Sequence, residues 1–389
     1  MFPFRRTARA PEAKASAVRP LIAMTGPGRP AWTPRDYASL ARAGYERNPI
    51  AHRCVRLIAE AAASAPVRVV AGGATQTDHP LIELLARPNA AQSRIELLET
   101  VYGFLQTAGN AYVEAVRLDG RARELHALRP DRMKVRLDAS GWPAGHDYTV
   151  DGRATRFAGA DETGAAPILH LKLFHPTNDH YGLSPLEAAA GAVDLHNASQ
   201  AWNKALLGNS ARPSGALVYR GPEGAENLTA DQFDRLKAEL ADAYSGRANA
   251  GRPLVLDGGL DWKSMSHSPS DMDIQEAKNA AARDIALAFG VPPMLLGVPG
   301  DNTYANYREA NLAFWKQTVS PLVKKTMAAM TAWLSAEFDG ARLAFDPSEL
   351  DALAVERDAA WRRVGAATFL SDAEKRTLLG LPPREDDRR

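Results

Sequence analysis

The spacing of apolar residues changes period several times along the chain, and each change predicts an element. Ordered sequence begins near Asp36. Asn48-Pro49 followed by Ile50, Cys54, Val55 and Ile58 predicts a helix with an Asn cap and Pro at its first position. Pro66–Val70 alternates as a strand does. Ser93 with Glu96 makes a capping box for a helix whose apolar face is Ile95, Leu98, Val101, Tyr102 and Leu105. Gly109-Asn110 stops that helix, and Ala111–Leu118 returns as a strand. Further strands are expected at Glu124–Leu128, Met133–Leu137 and Ile168–Phe174, so the first region is mixed α and β.

The middle of the chain differs in kind. Ser184 caps and Pro185 opens a run to about Asn209 that has no internal Pro and a single Gly, Gly191. About 25 helical residues make a rod of about 38 Å. A second rod of about 30 Å is expected from Asp271 to Phe289, ending at Gly290-Val291-Pro292-Pro293. Between the rods lies a small α/β pattern. Its strands are Gly215–Tyr219, Pro253–Leu256 and Leu260–Met265, and its helix is capped by Thr229 and Gln232. A Gly/Asn-rich stretch, Gly297–Asn306, precedes a third long helix, Tyr307–Phe338, kinked at Pro321. In the tail, Leu350, Leu353, Ala354, Trp361 and Val364 fall at helical spacing. A last helix is capped by Ser371 and Glu374 and closed by Gly380.

Composition narrows the class. A chain of 389 residues with 45% hydrophobic and 24% charged residues is globular and long enough for two or three domains. The lone cysteine, Cys54, excludes a disulfide framework, fits a reducing compartment and reads as core packing. No stretch approaches the roughly 18 apolar residues that span a bilayer, so no membrane partner is expected. The 47 basic and 46 acidic residues nearly cancel, unlike a static DNA binder. Residues 1–35, however, carry seven basic side chains against Glu12 alone, together with six prolines. That composition predicts a solvated, disordered basic arm and leaves the remainder of the chain acidic.

Catalytic patterns are mostly missing. The sequence has no GxxxxGK[ST], GxGxxG, HExxH or GxSxG stretch. His170, His175 and His180 recur at a spacing of five, which puts the first two on opposite faces of a strand and suits no shared metal. A metal-dependent nuclease, the main enzymatic alternative, needs clustered carboxylates with a lysine, often acid-x-Lys on a strand. Of the three such triplets, only Asp261-Trp262-Lys263 falls on an expected strand, with Asp257 as a candidate partner. The others are Glu12-Ala13-Lys14 and Glu276-Ala277-Lys278. Neither a catalytic residue nor a cofactor or metal is assigned.

Read in order, several phrases resemble the portal proteins of long-tailed double-stranded-DNA phages (the lambdoid siphophage type). They are Asn48-Pro49, His79-Pro80-Leu81 to Pro88-Asn89, Gly109-Asn110-Ala111-Tyr112, Leu169-His170 and Tyr181-Gly182-Leu183-Ser184-Pro185-Leu186. The series continues with Phe289-Gly290-Val291-Pro292-Pro293, Leu296-Gly297, Tyr304-Ala305-Asn306, Pro321 and Leu370-Ser371 to Leu381-Pro382-Pro383. The short length, with 36 Arg against 11 Lys, looks like a portal from a GC-rich bacterium, in a prophage or a gene transfer agent.

The resemblance implies an α+β, multi-domain portal fold with a mixed α/β wing, long stem helices, a small α/β clip inserted between them and a short α-helical crown. Behind the arm at 1–35, the wing would begin at 36–183. The stem would be 184–210 and 270–290, the clip 211–269, and the tunnel loop 291–306. The long wing helix and its return would be 307–348, and the crown 349–389. It implies a non-catalytic portal subunit of a head-tail connector, in a homododecamer at one capsid vertex. That ring would conduct double-stranded DNA during packaging and ejection and dock the terminase large subunit, then a head-tail adaptor, beside the major capsid protein. The virion would be its location, after assembly in the bacterial cytoplasm. Asp301, Asn302, Thr303, Tyr304 and Asn306 would face DNA in the tunnel loop. Asp271, Asp273, Glu276, Lys278 and Arg283 would line the channel, and Asp231, Arg235, Arg247, Asp257, Asp261 and Lys263 would serve the clip. Val291–Leu296 is too apolar for a solvated linker and should pack on the wing or a neighbouring subunit.

Overall fold

The computed structural model describes residues 32–161, 165–208, 215–219, 260–264, 273–299 and 304–381, together with residues 231, 234, 235 and 238. The basic arm, the loop residues 301–303 and most of the insert between the rods lie outside them.

The first helical stretch, α1 (Tyr37–Leu40), runs into a π-helical turn, Ala41–Glu46, and then into α2 (Pro49–Ser64). The expected Asn48 cap and N1 proline are both in place, and α2 buries Cys54, Val55, Ile58 and four alanines. It packs on α4 (Arg94–Ala108), whose Ser93–Glu96 capping box forms as expected. One register detail differs: Ile95 is exposed, and Leu97 is buried in its place beside Leu98. Between them lie β1 (Val67–Ala71), β2 (Ala74–Gln76) and the short α3 (Pro80–Ala86).

Three small antiparallel sheets surround these helices. In the first, β1 is flanked by β2 and by β11 (Arg342–Phe345), so segments nearly 300 residues apart pair with each other. The second has the order β4-β3-β8, from Arg121–Leu128, Asn110–Leu118 and Ile168–Lys172. The third, β5 (Met133–Leu137), β6 (Pro143–Val150) and β7 (Arg153–Ala158), contains two strands that the hydrophobic pattern did not announce. The strand β6 contains Gly145 and starts on Pro143, both weak strand formers, and most residues of β7 are exposed.

The first rod is broken near its start. A single turn, α5 (Pro185–Ala188), is followed at Ala189 by α6 (Ala190–Gly208). The second rod, α7 (Ile274–Phe289), starts later than expected. Asp273 precedes it with a left-handed backbone and no side-chain cap bond, and Gly290 ends it, also left-handed. The two rods pack side by side, α6 leading toward β9 (Gly215–Tyr219) and α7 following β10 (Leu260–Ser264). Those strands pair antiparallel over their whole length.

The third long helix is segmented rather than kinked once. It comprises α8 (Tyr304–Ala313), a π-helical turn at Phe314–Val319 and α9 (Ser320–Leu334), with Pro321 in the first turn of α9. The π-helical turn runs straight into α9, so the proline falls where the i→i−4 ladder is already interrupted, and its missing N–H is accommodated there. Tyr304 and Asn306 therefore begin a helix instead of belonging to a loop. Val291 is buried in the chain's own main core and Leu295 and Leu296 pack against it, which accounts for the apolar Pro-Pro segment. The tail adds α10 (Ala354–Gly365) and α11 (Asp372–Leu378), neither with a buried residue. No described helix is long and apolar enough to cross a membrane.

Candidate functional site

Two polar joints hold the first rod to the elements that precede it. At the first, Gly109 ends α4 with a φ of 69° and Asn110 begins β3. Asn110 Oδ1 accepts from the Gly182 N–H at 2.8 Å and from His170 Nε2 at 3.0 Å. Its Nδ2 donates to the carbonyls of Ala108 and Gly182. The two chain segments approach so closely that a Cβ at Gly182 would stand 2.2 Å from the Gly109 carbonyl. Tyr181 accepts from the Val135 N–H at 3.0 Å, and Ser184 caps α5 on the Glu187 N–H. The Gly-Asn and Tyr-Gly-Leu-Ser-Pro phrases thus form one clamp that aims the first rod.

His170 lies within this clamp, stacked on Tyr112 at 4.3 Å with His146 edge-on at 5.7 Å. Burial, then the charges of His146 and Lys172, push its pKa down to about 3. A neutral ring donating from Nε2 is the form this geometry holds. Among the described residues no group of three metal-ligating side chains is brought together.

The second joint is Asn48, buried to 1% exposure. Its Oδ1 accepts from the N–H groups of Ile50 and Ala51, both at 3.0 Å. Its Nδ2 donates across to α6, to His196 Nδ1 at 3.2 Å and Asn197 Oδ1 at 3.0 Å. Asn197 in turn donates to the Ala43 carbonyl at 2.9 Å. One helix cap thereby fastens α2 to the rod. Nothing in the local sequence announces it, because the partners lie about 150 residues apart. Near the start of the same rod, the Thr33 backbone donates to Asp194 and Arg35 to the Glu187 carbonyl.

The residues singled out from sequence distribute as follows. Glu276 and Arg283 are exposed on α7, while Lys278 is half-buried and close enough to lower the pKa of His196, after burial, the larger cause. Arg283 is occupied by the Pro299 carbonyl at 2.7 Å. Asp273 is exposed just before α7, and Asp271 lies outside the described residues. Asn306 is exposed on the first turn of α8, Tyr304 begins that turn, and Asp301, Asn302 and Thr303 lie outside. Asp231 and Arg235 are exposed helical residues. Asp261 is exposed on β10 opposite Val218, with Lys263 two places along opposite Ala216. Arg247 and Asp257 lie outside, so the acid-x-Lys triplet has no described carboxylate partner.

The phage portal protein family matches residues 49–380, and the chain belongs to that family. The chain is 41% identical over 345 residues to an uncharacterised protein of Rickettsia bellii, covering 88% of this chain and 89% of that one. It is 25% identical over 345 residues to the portal protein of Enterobacteria phage HK97, covering 85% and 78%. Among solved structures, a chain in the neck of an empty gene transfer agent particle, computed with C6 symmetry, is 54% identical. It superposes with a TM-score of 0.73 over 92% of this chain and 96% of that one. A chain in the neck of the native particle, computed with C12 symmetry, is likewise 54% identical, with a TM-score of 0.70 over 92% and 96%.

Proposed function

We propose that this chain is one subunit of a closed twelve-membered ring that conducts double-stranded DNA through a capsid vertex and catalyses nothing. The single observation that carries the reading is the pair of packed rods, α6 and α7, bracketing an inserted unit in a chain of the portal family. On this reading 36–183 and 307–348 are the wing, 184–210 and 270–290 the stem, 211–269 the clip and 291–306 the tunnel segment, whose last three residues open α8. Residues 349–389 are the crown. The C12 symmetry of the native gene transfer agent neck supports the stoichiometry, and the particle itself supports a virion location.

A conduit must let DNA slide, and dense phosphate contacts would arrest it. The rods suit that need. Residues 184–210 carry Glu187 and Asp194 against Lys204. Residues 271–290 carry four acids against Lys278 and Arg283. Twelvefold repetition makes that a mildly repulsive wall. The clip would meet the terminase large subunit during packaging and a head-tail adaptor afterwards, while the wing borders the major capsid protein.

Electron microscopy of the purified protein tests the reading. A closed ring of twelve around a hole wide enough for a duplex of roughly 20 Å, the scale set by its grooves, is the expected result. Deleting residues 211–269 should then abolish DNA packaging while leaving the wing folded, and unaffected packaging would overturn the clip assignment. A monomer that cuts DNA in magnesium would overturn the whole reading.

A further inference from the structure

The sheet β5-β6-β7 ends on an open edge. In antiparallel pairing, alternate residues turn both backbone groups toward the neighbouring strand, and those between them turn both away. The Gly159 N–H donates to the Ala144 carbonyl at 3.1 Å. Counting back along the β6–β7 register from that bonded pair, Phe157, Thr155 and Arg153 bond to β6. Ala158, Arg156 and Ala154 therefore hold their N–H and C=O groups outward. No described residue answers them, and all of β7 but Phe157 is exposed. The other long edges of the three sheets are answered. On β4, Leu125 donates to the Pro88 carbonyl and accepts from Asn89. On β5 the Val135 N–H meets Tyr181, on β8 the Lys172 carbonyl meets Lys325, and on β11 the Leu343 N–H meets Thr331. Proteins blunt open edges with proline, bulges or covering loops. The strand β7 has neither proline nor bulge, although the β3–β4 and β5–β6 pairings each carry a register shift.

Charge and symmetry select what fits there. Lys134, Asp147 and Arg156 stand side by side across the three strands. Asp147 is one carboxylate between two cations, and Arg156 reaches it only at 3.8 Å with a side chain 75% exposed. Opposite charges on neighbouring strands attract, so the edge favours an added strand with a carboxylate beside Arg156. Arg153 and Arg156, with Asp147 and Asp151 among their neighbours, make no phosphate surface. A second copy of the chain is a poor occupant, because subunits of a cyclic ring meet through different surfaces. Pairing β7 with β7 would need a two-fold axis, and no other strand of these sheets has a long open edge to offer.

We infer that β7 takes up an extended acidic segment of the major capsid protein as a fourth strand of this sheet. The inference rests on the proposed place of the wing beside that protein and names one contact between them. Hydrogen exchange of the full chain, read by mass spectrometry in free rings and in shells assembled with the major capsid protein, tests it. The Ala154, Arg156 and Ala158 amides should exchange freely in rings and about tenfold or more slowly in shells. Those of Arg153, Thr155 and Phe157 should be slow in both. Ala154→Pro deletes one outward N–H and Arg156→Glu reverses the charge, and neither removes a bond to β6. Each should cut entry into shells by about tenfold, while Arg156→Lys enters as wild type does. Should the proline lower the melting temperature, Arg156→Glu decides, since its side chain stands in solvent. Outward amides as fast in shells as in rings, or an Arg156→Glu variant that enters like wild type, would overturn the added strand alone. Outward amides already slow in free rings would overturn it in favour of a neighbouring copy. A wild-type chain that forms no rings, or never enters shells, would overturn the portal reading beneath it.

Discussion

Replacing Asn48 by alanine removes one side chain that serves two elements, so its cost can be built from parts. The lost cap on Ile50 and Ala51 is worth about 1 kcal/mol. His196, 3% exposed, then keeps an Nδ1 without its donor, and the half-buried Asn197 Oδ1 loses one too. Stranding such groups costs about 1–3 kcal/mol. The expected sum is about 3 kcal/mol, and at about 2 °C per kcal/mol for a chain of this size the melting temperature falls about 6 °C.

Asn48→Asp separates the two contributions. Aspartate caps as well as asparagine does, but it presents only oxygen to His196 Nδ1. In the wild type the His196 pKa is lowered, by burial first and then by Lys278. Its contribution is therefore full above the unfolded value of about 6.5 and lost as pH falls. A carboxylate at position 48 reverses the sign. It raises the histidine's folded pKa, and the ion pair's contribution is full below about 6.5 and lost as pH rises. Melting curves of both proteins from pH 5.5 to 8, at one protein concentration, should show the gap narrowing toward acid and widening toward base. An Asn48→Asp variant that melts with wild type at pH 8 would refute the joint and leave only a helix cap.

Three further outcomes follow from the same structure. His170→Gln keeps a donor for Asn110 but removes the ring whose pKa is pushed down to about 3. A depressed base costs stability as pH falls below about 6.5 toward that value, so the wild type should lose up to about 1.4 kcal/mol per pH unit there relative to the variant; parallel stability curves between pH 5 and 7 would contradict this. Gly182→Ala places a Cβ 2.2 Å from the Gly109 carbonyl and 2.7 Å from the Leu173 nitrogen, backbone atoms that cannot step aside. It should cost about 3 kcal/mol or more, read as lost soluble yield or a drop in melting temperature of about 6 °C, and normal melting would refute the clamp. The Cys54 thiol, fully buried and pushed up to about 12, should resist alkylation at pH 8 in the native protein and react at once in denaturant.

How much of this was legible beforehand depends on the range of the interactions. Caps and breakers act within four residues, so Ser93–Glu96, Asn48-Pro49, Gly109 and Ser371–Glu374 could be read directly. Strands β6 and β7 could not, because each gives only one large side chain, Tyr148 and Phe157, to a small satellite core, too few to make an alternation visible. Ile95 looked apolar enough to face inward, yet the face that α4 buries carries Leu97 in its place. The break at Ala189 has no local breaker to announce it, whereas Pro321 marked the place of the π-helical turn without specifying its form. At the candidate site the rods and the insert were legible from length and punctuation. The partners of Asn48 and Asn110 were not, since they are brought together only by the fold.

The phrases that make the chain recognisable belong to joints. Asn48-Pro49 fastens α2 to the first rod, and Gly109-Asn110 with Tyr181-Gly182-Leu183-Ser184-Pro185 aims that rod. None of these residues presents a charged group to a phosphate. That division suits a conduit. Gripping DNA requires particular side chains at particular places, whereas letting DNA slide requires only that the wall be held in position and carry the right sign of charge. Geometry is exacting in such a protein, and a Cβ at Gly182 is already too much. The proposed channel surface is permissive by comparison, because a net acidic rod can be built from many combinations of Asp, Glu and Lys. A portal should therefore be recognised by its hinges and clamps, and its DNA-facing residues are the part that sequence pattern specifies least.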